Sequence, residues 1–104
     1  MPRFDVYRNH DKQDNTLIPF YLDVQSDHIK SLASRVVVPL VKALLFKQKT
    51  EDLHPELEVD GQHVVMLTSG LGSVSQSLLR RPIANISAQQ FVIQHAIDTL
   101  FGSY

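Results

Sequence analysis

Leu57-Glu58-Val59-Asp60-Gly61-Gln62-His63-Val64-Val65-Met66-Leu67 is the stretch from which the architecture follows. Asp-Gly suits a tight primed turn, because both central residues of that turn need positive φ. The stretch therefore predicts an antiparallel hairpin, with Leu57 and Val59 on one arm and Val64 to Leu67 on the other. Upstream, Arg35 to Val41 is β-branched and continuous, which predicts a strand buried on both faces. Pro39 inside it has no N–H to donate, so it is expected at a bulge or an edge. Ile18 to Val24 alternates: Phe20, Leu22 and Val24 point one way, Tyr21 and Asp23 the other. Arg3 to Tyr7 reads as a short strand with Phe4 and Val6 on one side. The polar runs Arg8 to Asn15, Gln25 to Ser34 and Lys47 to Asp52 read as connections. Downstream, Ser69 to Ser73 is a loop, and Val74 to Leu79 is a weak candidate for the last strand.

The chain closes on a helix. Ser87 and Gln90 have the spacing of a capping box, and Ile86 and Phe91 that of a hydrophobic staple. Val92, Ile93, Ala96, Ile97, Leu100 and Phe101 form one apolar stripe. Gly102 stands where a left-handed residue ends a helix. Strands followed by one terminal helix predict a mainly β, α+β domain: a small antiparallel barrel or sheet with a helix packed on it.

Length and composition narrow the function. The 104 residues are expected to form one domain over 1–104. A net charge of −1 argues against a strongly electrostatic nucleic-acid binder. There is no cysteine, so disulfides, thiol nucleophiles and Cys-ligated metals are excluded. The start has no apolar signal-peptide core, and Val36 to Phe46 is too short to span a bilayer, which takes about 20 residues. A cytoplasmic domain is the expectation. His10, His28, His54, His63 and His95 show no metal-ligand spacing. Ser69-Gly70-Leu71-Gly72-Ser73 lacks both a nucleophile between its glycines and the lysine of a phosphate loop. Asp23 and Asp27 read as a strand end and a turn cap. Arg80-Arg81 before Pro82 reads as a solvated turn.

Tyr21-Leu22-Asp23-Val24-Gln25-Ser26-Asp27, followed by Arg35-Val36-Val37-Val38-Pro39-Leu40, resembles the CcdB family of toxin–antitoxin toxins. Phe4-Asp5-Val6-Tyr7, Leu53-His54-Pro55, Met66-Leu67-Thr68 and Ala96-Ile97-Asp98-Thr99-Leu100-Phe101 extend the resemblance along the whole chain. It implies an SH3-like barrel sheet with a C-terminal helix, in the superfamily of the MazF and Kid ribonuclease toxins. It also implies a homodimer without catalysis or cofactor, which binds the A subunit of DNA gyrase and traps the cleaved-DNA complex. A cognate antitoxin would neutralise it and, with it, repress the operon, so that operator DNA is reached only through the antitoxin.

The resemblance also implies residues. The gyrase surface would comprise His28, Ile29, Asp98, Phe101, Gly102, Ser103 and Tyr104. The antitoxin surface would comprise Arg8, Asn9, His10, Val41, Lys42 and Leu44. The family typically ends in Trp-Gly-Ile, where this chain has Gly102-Ser103-Tyr104 and no tryptophan at all. A cation–π contact of ~0.5–2 kcal/mol is then missing at each of two symmetric sites. Tyr104 lies two positions later, and a helix turns ~100° per residue, so it points elsewhere unless the tail unwinds. Weakened or altered gyrase poisoning is the expectation. Two alternatives stay open: a non-toxic or retargeted homologue that keeps antitoxin binding only, and a MazF-like endoribonuclease using Arg35, Asp23 and His28.

Overall fold

The computed structural model describes residues 2–29, 32–46 and 51–102. Seven strands and one α-helix are found among them: β1 (Asp5–Arg8), β2 (Phe20–Asp23), β3 (Ser34–Lys42), β4 (Glu56–Val59), β5 (Gln62–Met66), β6 (Gly72–Ser75), β7 (Pro82–Asn85) and α1 (Gln90–Phe101). The expected hairpin is β4–β5, with Leu57 opposite Val64 and Val59 opposite Gln62. Asp60 and Gly61 both take positive φ, 49° and 80°, as the primed turn requires.

All strand pairs are antiparallel, in the order β4-β5-β3-β2-β1-β7, with β6 also on β3. β3 is the spine. Along one edge it pairs with β2. Along the other it serves two partners in turn, β6 at Ser34 to Val37 and β5 at Leu40 to Lys42. That division curls the sheet into a half-barrel. Pro39 sits at the break between the two partners. Its carbonyl accepts from the Leu67 N–H at 2.9 Å on that side, so its missing N–H faces the gap. Pro39 is thus at neither the expected bulge nor an edge: it lies in regular register inside a central strand, and the gap between β6 and β5 spares its missing donor.

Period-two alternation sorts the side chains. Phe4, Val6, Phe20, Leu22, Val38, Leu40, Val64 and Met66 lie on the concave face, which Ile93 and Ala96 of α1 cover. Tyr7, Val37 and Leu79 form a smaller cluster on the other face, with Tyr21 and Val74 against it.

Three local expectations are corrected. The strand expected at Val74 to Leu79 begins earlier, at Gly72, and ends at Ser75; Gln76–Leu78 is a 3-10 turn. β7, which was not expected, contains Pro82 and Asn85, both poor strand formers; pairing with β1 overrides that preference. The capping box and staple do not form. Ser87–Gln89 is a 3-10 turn without a side-chain cap on either it or α1. Asn85 Oδ1 instead accepts from the Ser87 N–H at 3.0 Å, and Phe91 is 81% exposed while Ile86 is buried. Gly102 does end the helix, at φ 69°, with its N–H on the Asp98 carbonyl. Lys47 to Thr50 of the expected charged loop lie outside the described residues.

Candidate functional site

The loop after β2 is built on a buried ion pair. Asp23 stands opposite Val37, and Arg35, two residues before Val37, faces the same side. Arg35 Nε and Nη2 donate to the two Asp23 oxygens at 2.8 and 2.9 Å, a bidentate fork with both side chains buried. The Gln25 N–H donates to Asp23 Oδ1, and Gln25 Oε1 accepts from the Val36 N–H. Burial pushes the Asp23 carboxyl up from its ordinary value, while Arg35 and the Gln25 N–H pull the other way. Gln25 Nε2 and an Arg35 guanidinium nitrogen both reach the Ile29 carbonyl, at 3.4 and 3.5 Å. The pair thus fixes the loop that carries His28 and Ile29, both exposed.

Arg3 ties this loop to the helix. Its backbone N–H donates to Asp27 Oδ1 at 2.6 Å, and its Nε to the Val24 carbonyl at 3.0 Å. Its Nη2 donates to Gln94 Oε1 at 2.8 Å, and Gln94 Nε2 donates to Asp98 Oδ1 at 3.0 Å. Asp98 in turn accepts the Gly102 N–H on its carbonyl. An unbroken chain of hydrogen bonds therefore runs from the loop to the end of α1. Phe101 there is 64% exposed, and Ile29 on the loop 44%. Ser103 and Tyr104 lie outside the described residues. Neither Arg3 nor Gln94 was singled out in the sequence. The one local signal was the i,i+4 spacing of Gln94 and Asp98 on a helix face.

The second set divides by burial. Asn9 is buried; its Nδ2 donates to Asp14 Oδ1 and the Ile18 carbonyl, and its Oδ1 accepts from the Asp11 N–H. It folds the polar loop. Val41 is buried in β3. Arg8 and His10 are exposed, Lys42 is half-buried, and Leu44 is 94% exposed. Both segments emerge at one end of the sheet, because Arg8 stands opposite Phe20 and Phe20 opposite Leu40. They line separate hollows, Arg8 and His10 one, Lys42 and Leu44 another.

Three of the histidines meet polar side chains. His54 Nε2 lies 3.0 Å from Ser69 Oγ, His95 3.2 Å from Asp52, and His63 3.3 Å from Glu56. The carboxylate of a relay thus sits on a different imidazole from the one that meets a serine. The Gly70 and Leu71 N–H groups next to Ser69 already donate to Leu67 and Thr68. Among the described residues no group of three or more His, Asp or Glu is placed to hold a metal, and no helix is long and apolar enough to cross a membrane.

A small antiparallel half-barrel closed by one C-terminal helix, with a loop and a helix end joined through Arg3, defines the class of domain. The family model described as CcdB protein matches residues 3–102. The chain belongs to the CcdB family. That membership supports a toxin of a toxin–antitoxin system, with an antitoxin as its general partner.

Proposed function

We propose that the chain acts by binding, as a homodimer, to the A subunit of DNA gyrase, and that it holds the enzyme on cleaved DNA. The observation that carries this reading is the exposure of Ile29 and Phe101 on two segments joined through Arg3. Two large apolar side chains held in water by a rigid hydrogen-bonded frame are the kind of surface that a protein partner buries. A two-fold dimer repeats that surface for a two-fold target. The role requires no catalytic group or cofactor. The antitoxin would bind at the end of the sheet where Arg8, His10, Lys42 and Leu44 are accessible, and repression would follow from the toxin–antitoxin complex on operator DNA. The setting is the cytoplasm, where gyrase works.

A second reading follows from the zero tryptophan count: a homologue that no longer poisons gyrase and keeps antitoxin binding. The ribonuclease reading is weakened by the Asp23–Arg35 fork, in which each charge is buried against the other rather than open to a substrate. Induced expression in cells with and without a gyrase-resistant allele separates the three. Arrest relieved by that allele supports the gyrase reading. Arrest in both strains supports RNA cleavage, and no arrest supports the second reading.

A further inference from the structure

β4 stands at one end of the strand order, with β5 as its strand neighbour among the described residues. Val59 and Gln62 flank the two-residue turn and bond to each other. Glu58 and His63, the next pair, therefore turn their N–H and C=O groups away from each other. On β4 that direction is the outer side of the sheet. Glu58 thus holds out a backbone donor and a backbone acceptor at an edge where another strand could add.

One side chain takes both groups. The Glu58 N–H donates to Gln89 Oε1 at 3.1 Å, and Gln89 Nε2 donates to the Glu58 carbonyl at 2.8 Å. A carboxamide carries its acceptor and its donors side by side. It therefore meets Glu58 as a residue of a neighbouring antiparallel strand would. Both partners are held in place. Gln89 ends the Ser87–Gln89 turn, with its own N–H on the carbonyl of the buried Ile86 at 2.9 Å. Leu57 and Val59, on either side of Glu58, are buried in the core.

Without that cap, Glu58 is self-complementary. Two copies of β4 related by a two-fold axis would set Glu58 opposite Glu58, each N–H on the other's carbonyl. The two carboxylates would also stand opposite one another, and such a like-charge pair weakens the pairing but leaves its backbone bonds.

We propose that Gln89 is a one-residue stand-in strand, which closes the β4 edge against a second copy of this chain. The inference is independent of the gyrase and antitoxin readings. Gln89→Leu in the full chain keeps the bulk of the side chain and removes both bonds. Amide hydrogen exchange at high dilution reads the edge itself, and sedimentation at rising concentration reads its consequence. In Gln89→Leu the Glu58 amide is expected to exchange about tenfold faster than in wild type, while the Leu57 and Val59 amides, which face β5, change less than about twofold. On concentration, Gln89→Leu forms species larger than those of wild type, and adding Glu58→Thr lowers the concentration needed. Adding Glu58→Pro instead deletes the outward N–H, a change that an edge strand tolerates, and returns the variant to the wild-type state. Gln89→Glu carries the test should Gln89→Leu not fold: it keeps an acceptor for the Glu58 N–H, loses the donor to the carbonyl, and gives an intermediate exchange rate. A Glu58 exchange rate unchanged in both Gln89 variants overturns the proposal. So does a Gln89→Leu chain that sediments as wild type at every concentration, or an association that survives Glu58→Pro.

Discussion

Asp23 and Arg35 place two charges inside the sheet, and their value lies in their geometry. Removing one partner leaves the other buried and unpaired, which costs about 3–5 kcal/mol. Asp23→Ala and Arg35→Ala are each expected to lower unfolding stability by about that amount in urea titrations. The double variant Asp23→Leu/Arg35→Leu should lose clearly less than the sum, because no orphaned charge remains. Strict additivity would show that the pair is not coupled. Tyr7 gives a pH test. Its hydroxyl is pushed up to about 12, chiefly by burial and then by the charges of Asp5 and Asp23. The phenol ionises near pH 10 in the unfolded chain. The contribution is therefore whole below pH 10 and is lost as pH rises through about 12, about 3 kcal/mol in all. Tyr7→Phe should flatten that alkaline loss; an unchanged alkaline limb would contradict the assignment.

Arg3 joins two elements, the β2–β3 loop and α1, and its side chain carries little of the core. Arg3→Ala removes the hydrogen bonds to the Val24 carbonyl and Gln94, which is worth about 1 kcal/mol each at most in partial exposure. The expected result is a modest fall in melting temperature together with a much larger fall in gyrase affinity, read by calorimetry on both. Equal proportional losses would mean that Arg3 serves stability alone. The elements themselves were largely legible. The β4–β5 turn, β1, β2, β3 and the Gly102 helix end are dictated by local pattern: Asp-Gly, alternation, β-branching and a left-handed glycine. β7 was not legible, because Pro82 and Asn85 hide a strand that exists only through its pairing with β1. The helix start departs from its local pattern for a similar reason. Ser87 has the right spacing, yet Asn85 at the end of β7 satisfies that turn first. Of the site, the exposed loop and helix end came from the resemblance. The Arg3–Gln94 link spans 91 positions, and no local signal marks so distant a contact.

The molecule as a whole is a small half-barrel whose two ends present different chemistry. One end holds Ile29 and Phe101 around a hydrogen-bonded frame, and the other exposes Arg8, His10 and Leu44. On the proposed reading, such a division lets one small surface meet both a target and a neutralising partner. On the proposed reading, the hydrogen-bonded frame reaches Gly102, while the chain holds no tryptophan for it to present. Gyrase engagement should therefore persist in weakened form. The most direct measurement is cleavage-complex formation by purified gyrase on supercoiled DNA, titrated with wild type, Ile29→Asp and Phe101→Asp. Cleavage by wild type at potency below that of a Trp-Gly-Ile toxin, and lost in both well-folded variants, is the expected result. Cleavage of equal strength in wild type and both variants, or none with wild type at any concentration, would contradict it.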